Sequence, residues 1–301
     1  GEYTVYEAKK SAAKKGTLFY LTLQDALDAS GDDPVILLSD IEVTSQLFVT
    51  NAVTLDLAGH TLAYAGETTL ASGVIGVKRG GDLTIEDSSE PSTGRIASGA
   101  KAYAAVSMTV KGEAASGALA KLTVNGGTLE GDYYAITGNG SRGNTEIVVN
   151  GGTIRGLHEE DNLGIFNPQP DSTVTVNGGA IMGYASAIEM RGGTLVVNGG
   201  TLTATAESYA VTASGSGSTT VGAAIAIAQH NTKGDLAVTV SGGTLTGLNA
   251  VSVANPQQNA TSNVSVTLGN ATYDGALAFA AAGASIAPRL TVPSVRRGFP
   301  R

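Results

Sequence analysis

The chain has 301 residues, of which 18 are basic, 26 are acidic and none is cysteine, and its formal net charge is −8. The lack of cysteine excludes disulfide bonds and thiolate metal sites, and no apolar run is long enough to predict a membrane span. Between Gly16 and Arg289 the chain has ten basic and twenty-four acidic residues. The resulting charge of about −14 would repel phosphate backbones, so nucleic acid is not an expected partner.

A short helix is predicted near the start of the chain. Thr22 precedes Asp25 at the spacing of a capping box. We expect an amphipathic helix from about 23 to 30, followed by a strand at 35–38. Residues 1–52 are therefore predicted to form an N-terminal cap that covers one end of a β-sheet fold.

The tripeptide Asn-Gly-Gly recurs from the middle of the chain onward. Its asparagines are Asn125, Asn150, Asn177 and Asn198, and Ser241 stands at the same place in a fifth copy. The units are 25, 27, 21 and 43 residues long, and alternating β-branched residues precede each glycine pair. A short strand that recurs at variable spacing predicts a solenoid whose turns carry the insertions. We also predict that the four asparagines form a structural ladder, which Ser241 interrupts.

Each coil carries a further strand signal, in which a small residue precedes an aliphatic one. The pairs are Ala135-Ile136, Gly164-Ile165, Ala187-Ile188, Ala210-Val211, Ala224-Ile225 and Ala250-Val251. With three short strands in each turn, the chain resembles the pectin-lyase-like superfamily from about 53 to 279. The 43-residue unit contains two of these pairs. It is either two coils or one coil with a long lateral loop.

The resemblance implies an all-β fold, a right-handed parallel β-helix solenoid with a short N-terminal capping helix. Its coils would occupy 53–287, and 288–301 would be a C-terminal tail or linker. The helix followed by Asn-Gly-Gly coils also resembles β-helical segments of bacterial cell-surface proteins. Because the superfamily includes lyases, glycosidases, tailspikes and adhesins, the function has to be argued from a site.

One face of each coil is predicted to point into the core. The aliphatic residues beside each corner would stack in columns: Val124, Leu129, Val149, Ile154, Val176, Ile181, Val197, Leu202, Val240 and Leu245. Thr153 and Thr201 would point outward. Burial of each large aliphatic side chain would stabilise the fold by about 1.5 to 3 kcal/mol.

The first candidate site is the outward stripe that follows the small-aliphatic pairs. Phe166, Glu189 and Arg191 lie on this stripe, which we expect to be exposed to solvent. Phe166 could stack on a sugar ring, or it could pack under the loop at 168–170. One carboxylate and one arginine do not make the two-carboxylate arrangement of a glycosidase, so no catalytic residue is predicted.

The second candidate site is the polar loop His158, Glu159, Glu160, Asp161 and Asn162. Loops on a rigid scaffold often carry binding residues. Three adjacent carboxylates could hold Ca²⁺, although consecutive side chains converge only in a tight loop. The alternative is a solvated charged turn, and the acidic segment 86–90 has the same two interpretations. No cofactor is expected, and Ca²⁺ is the single candidate ion.

Two classes of function remain open at this stage. The first is a non-catalytic module of a secreted or surface-attached bacterial protein, which acts as a stalk, an adhesin or a glycan-binding rod. The alternative is a polysaccharide lyase or glycoside hydrolase with a groove along the helix. The sequence favours the first class. It predicts an extracellular monomer whose ligand is a neutral or cationic glycan or a host or cell-surface protein.

Overall fold

The fold is a stack of short parallel strands. It is taken from a computed structural model that describes residues 10–230, 234–259 and 261–279. The predicted tail at 288–301 lies outside the described residues. Regular structure is almost entirely β, as the sequence predicts for a solenoid, and one short helix lies at Leu23–Asp28.

Face one of the solenoid is an 11-stranded sheet. From its N-terminal edge its strands are Leu18–Tyr20, Ala13–Lys15, Val35–Leu37, Ala52–Asp56, Asp82–Glu86, Ala120–Val124, Thr145–Val149, Ser172–Val176, Gly193–Val197, Leu236–Val240 and Val264–Leu268. Ala13–Lys15 pairs antiparallel with both of its neighbours, whereas the nine strands from Val35–Leu37 onward pair parallel with one another, each with the strand one coil away. Nine strands at the usual spacing make a stack about 40 Å long.

Faces two and three belong to a second, 16-stranded sheet. Face two contains Ile41–Val43, Thr61–Tyr64, Arg95–Ala97, Thr128–Gly131, Thr153–Gly156, Ala180–Gly183 and Thr201–Ala204. Face three contains Leu47–Val49, Leu70–Val77, Ala102–Met108, Tyr134–Gly138, Leu163–Asn167, Ser186–Met190 and Ala223–Ala228. The long strand Thr244–Ala254 pairs with both sets and joins them, and Thr272–Phe279 pairs with it in turn.

The glycine pairs form the corners between faces one and two. The second glycine of each pair has a positive φ, from 74° at Gly127 to 91° at Gly243. The first glycine lies against the coil before it, since a Cβ on Gly151 would come within 2.5 Å of the carbonyl oxygen of Asn125. Any side chain at that position would push the coils apart, which explains why both glycines recur.

The predicted asparagine positions carry a continuous row of side-chain hydrogen bonds. The amides of Asn150, Asn177 and Asn198 each donate to Oδ1 of the asparagine one coil earlier, at 2.8, 2.8 and 2.9 Å. Ser241 does not interrupt the row, contrary to the sequence-based expectation, because its Oγ donates to Oδ1 of Asn198 at 2.9 Å. At the other end, the Asn125 amide donates to Oε1 of Glu86 at 3.1 Å.

The 43-residue unit is one coil with a lateral loop. Its face-one strand, Gly193–Val197, pairs directly with Leu236–Val240 of the next coil. The extra residues form the lateral loop 205–222, which leaves after face two and returns before face three. Ala210–Val211 is therefore not a face-three strand, as its sequence signature suggested, but half of a small antiparallel hairpin with Thr220–Val221.

The predicted inward residues form the core. Val124, Leu129, Val149, Ile154, Val176, Ile181, Val197, Leu202, Val240 and Leu245 are all buried. Because strands of successive coils pair in register, each residue stacks on its equivalent, as Leu129 does with Ile154. Along the exterior of the same strands, Thr153 is half-buried and Thr201 is exposed.

The helix Leu23–Asp28 packs near the first coils. The Oγ1 atom of Thr22 accepts a hydrogen bond from the Asp25 amide at 3.2 Å, as the capping-box spacing predicts. The apolar side of the helix, Leu23, Ala26 and Leu27, is buried. Nowhere in the described ranges does a helix have the length and apolar character needed to cross a membrane.

Candidate ligand-binding groove

A groove runs along face three, and we call it the face-three groove. It consists of adjoining cavities of about 660, 430 and 380 Å³. The first and second share Ser72 and Thr137, and the second and third share Phe166 and Gly217. Several coils therefore contribute to one continuous surface that could hold an extended ligand.

The middle of the groove is lined by aromatic rings, and we call it the aromatic segment. It contains Tyr103, Tyr133, Tyr134 and Phe166. Tyr103 and Tyr133 meet edge to face with their centroids 5.1 Å apart, and Tyr134 stacks on Phe166 at 4.9 Å. Tyr103 is 38% exposed, whereas Phe166 is buried. The centroid of Tyr133 lies 6.2 Å from that of Tyr134, so the buried pair supports the outer rings, which present an apolar surface.

Glu189 and Arg191 do not lie on an exposed stripe, contrary to the sequence-based expectation. Both side chains are buried, and Nε of Arg191 donates to Oε1 of Glu189 at 3.0 Å. The Glu189 carboxylate also accepts hydrogen bonds from the amides of Thr219 and Thr220 and from the Thr219 hydroxyl. It is fully used in holding the lateral loop and is closed to a ligand.

Arg191 holds the other side of the same loop. Its guanidinium donates to the carbonyl oxygens of Ser214, at 3.3 Å, and of Gly217. It also lies over the Phe166 ring, with Cζ 5.0 Å from the centroid. Phe166 is thus buried beneath Arg191, which is hydrogen-bonded to the loop 205–222.

The predicted loop site is partly built into the groove. His158 stacks on Tyr133 with centroids 4.4 Å apart, and Asp161 accepts a hydrogen bond from the Ser218 hydroxyl. Glu159 and Glu160 are exposed. Throughout residues 10–230, 234–259 and 261–279, no group of three or more His, Asp or Glu side chains is arranged to hold a metal ion.

The Tyr134 hydroxyl is a poor acid or base in this setting. Burial raises the pKa of its phenol above the ordinary value, and the carboxylates of Asp161 and Glu189 raise it further, against a smaller opposing effect of Arg191. The phenol therefore stays protonated at neutral pH. It can donate a hydrogen bond, but it cannot accept a proton from a substrate.

The end of the groove nearest the N-terminal coils has a different character, and we call it the cationic segment. Lys78, Lys111 and Arg142 line it, together with Phe48 and small polar residues. Sequence reasoning missed these three cations because they come from loops of unequal length and share no period. It also passed over Tyr133 and Tyr134, although they directly precede the Ala135-Ile136 strand signal.

Comparison with known proteins does not extend this description. No family model, no curated protein and no solved structure matches the chain. The function therefore has to be inferred from the geometry and charge of the face-three groove.

Proposed function

We propose that this protein is a non-catalytic glycan-binding module of a secreted or surface-attached bacterial protein. The aromatic segment is the observation that carries the proposal. Tyr103 and Tyr133 offer rigid ring faces in an open groove, and such faces stack on the apolar sides of sugar rings. A solenoid suits this role because successive coils present an extended surface to a chain-like ligand.

The carboxylates near the aromatic segment support binding over catalysis. A glycosidase of the usual kind needs two carboxyl groups that flank the scissile bond. Among the described residues that line this segment, Asp161 is the only carboxylate, and it accepts a hydrogen bond from Ser218. Glu189 lies behind the surface and is fully hydrogen-bonded.

We also propose that the chain is a right-handed parallel β-helix of the pectin-lyase-like type, with the helix Leu23–Asp28 as the cap of the N-terminal end. Parallel crossovers are right-handed in about 98% of cases, which supports the handedness. The cap is supported by the Gln24 side chain, which bonds the backbone amide and carbonyl of Phe48, both at 2.9 Å.

Glycan binding by the purified 301-residue chain tests the proposal. On an array of neutral and acidic oligosaccharides, we expect Tyr133→Ala and Tyr103→Ala each to weaken binding by about tenfold, or about 1.4 kcal/mol, because each removes an aromatic ring on which a sugar ring would pack. Phe19→Ala is the matched control, because Phe19 is 66% exposed and lies outside the groove.

Two results would contradict the proposal. One is equal glycan binding by the groove variants and the Phe19→Ala control. The other is release of reducing ends or unsaturated products from polysaccharides by the pure protein, which would favour the lyase or hydrolase alternative. Binding of a host or cell-surface protein, with no glycan bound, would make the ligand a protein, which is the other kind of ligand that the sequence analysis leaves open for a non-catalytic module.

A further inference from the structure

The cationic segment has a local charge opposite to that of the molecule. Lys78, Lys111 and Arg142 line a cavity of about 660 Å³, and no carboxylate of the described residues lines it with them. The chain between Gly16 and Arg289 has a net charge of about −14 from ten basic and twenty-four acidic residues. Three of those ten basic side chains thus share one cavity.

These three cations are not neutralised by the protein. Within the described residues, none of them forms an ion pair with a carboxylate. Lys78 Nζ lies 4.0 Å above the Phe48 ring, and Nε of Arg142 donates to the backbone carbonyl of Glu113 at 2.9 Å. Nη1 of Arg142 is buried and has no hydrogen-bond partner. A buried, unpartnered guanidinium nitrogen is costly, and an anion in the cavity would reduce that cost.

The carboxylate of Glu113, whose backbone carbonyl contacts Arg142, is already hydrogen-bonded. The Glu113 side chain accepts hydrogen bonds from the backbone amides of Arg79, at 2.9 Å, and Val110, at 2.7 Å. These bonds hold the carboxylate against the loop that carries Lys111. Glu113 is therefore held by backbone amides and is not among the residues that line the cavity.

The floor of the segment is a fixed polar surface. Nε2 of Gln46 donates to Oγ of Ser72 at 2.9 Å and approaches Oγ of Ser107 at 3.1 Å, and the two hydroxyls lie 3.0 Å apart. Three coils supply these groups. Hydroxyls held in this way can turn their protons toward an oxyanion, which completes a site of charged and neutral donors.

We propose that the cationic segment binds the anionic group of an acidic glycan, a sulfate ester or a carboxylate, while a neighbouring sugar ring stacks on the aromatic segment. This inference rests on the proposed glycan-binding function. The two segments share Ala71, Ser72, Thr137 and Gly138, so one chain can occupy both. This proposal replaces the expectation of a neutral or cationic ligand. The acidic residues elsewhere on the molecule repel an anion in the cavity only weakly, because charges separated by more than a Debye length of about 8 Å are largely screened.

The test compares three oligosaccharides of the same length: a neutral one, its sulfated form and a uronate-containing form. Calorimetry on the full chain should give tighter binding of an acidic form, with an affinity that falls as salt is added. Lys78→Gln and Lys111→Gln should each weaken acidic binding by about tenfold and leave neutral binding unchanged. Lys121→Gln is the control, since Lys121 pairs with Glu146 on face one.

The outcomes separate the two proposals. If the neutral form binds as well as both acidic forms, and the lysine variants change nothing, the anion site is wrong and the aromatic groove stands. If none of the three oligosaccharides binds, both proposals fail. A preference for the sulfated or for the uronate form, lost in Lys78→Gln but kept in Lys121→Gln, supports the site and identifies which anion it takes.

Discussion

Asp87 shows how one residue organises a corner. It belongs to the acidic segment 86–90, for which a solvated charged turn was one interpretation. The carboxylate accepts hydrogen bonds from the amides of Gly59, at 2.8 Å, and Gly94, at 2.7 Å, and from the hydroxyl of Ser92, at 2.7 Å. It therefore links two coils and is a structural part of the turn.

The stability of the protein should depend on pH through Asp87. Burial raises the pKa of its carboxyl, but hydrogen bonds from Ser92, Gly59 and Gly94 outweigh burial and hold the pKa below the ordinary value. A lowered folded pKa means that the ionised form stabilises the fold above about pH 3.9, and that this contribution is lost as the pH falls through the folded pKa. Asp87→Asn should lower the melting temperature at pH 7 and flatten its decrease in acid.

Asp32→Asn is the control for that experiment, because Asp32 is exposed and its replacement also removes one carboxylate. Thermal melts of the three proteins from pH 7 to below pH 3 make the comparison. Parallel curves for Asp87→Asn and the unchanged protein would show that the hydrogen bonds to Asp87 do not favour its ionised form.

Ile154 and Thr153 test which way neighbouring side chains point. Ile154 is buried in the core, whereas Thr153 is half-buried on the outside of the same strand. We expect Ile154→Asp to cost several kcal/mol, because it buries an unpaired charge, and Thr153→Asp to cost well under half of that. Urea unfolding measures both, and equal midpoints would mean that the two faces are assigned wrongly.

The lateral loop 205–222 is the element whose role the sequence did not predict. The alternation of residues along the strand predicts that the Glu189 side chain points away from the core, and in the structure this side chain points away from the core. What covers an outward side chain depends on contacts far along the chain, since the partners of Glu189 are Thr219 and Thr220. No local pattern encodes such a contact, so the burial of Glu189 and Arg191 could not be inferred from periodicity.

Removal of the buried charge at Glu189 should release this loop. Glu189→Gln leaves the Arg191 guanidinium buried without its anion, and the loss of one member of a buried pair costs about 3 to 5 kcal/mol. We expect faster amide hydrogen exchange across 205–222, with little change in the face-one strand Gly193–Val197. Glu207→Gln, an exposed change in the same loop, is the control. Identical exchange in the two variants would contradict an anchoring role.

At the scale of the whole molecule, the repeat made the architecture predictable. In the coils that carry them, the Asn-Gly-Gly corners mark the passage from face one to face two, and the close approach of Gly151 to Asn125 shows why a glycine is needed there. The groove was less predictable, because its cations Lys78, Lys111 and Arg142 lie outside the strands. Its aromatic residues lie in or beside face-three strands, but they do not recur at one register position from coil to coil. A repeat therefore predicts the scaffold better than it predicts the binding surface.

The intact chain should behave in solution as a β-rich monomer. Its far-UV circular dichroism should show strand and not helix, because the described helix covers six residues. Sedimentation and small-angle scattering should give a monomer longer than it is wide, as nine stacked parallel strands about 4.8 Å apart require. A helix-dominated spectrum, or a compact spherical particle, would refute the stacked arrangement.

The row of hydrogen bonds from Glu86 to Ser241 also bears on how such a protein can change over evolutionary time. Register is held by side chains at the corners and by the backbone of face one. The lateral loop enters between faces two and three without shifting either neighbouring coil. Insertions at that junction can therefore vary in length and composition while the corners stay constant. A lineage could acquire a new specificity by exchanging one loop, and an engineer could graft one there for the same reason.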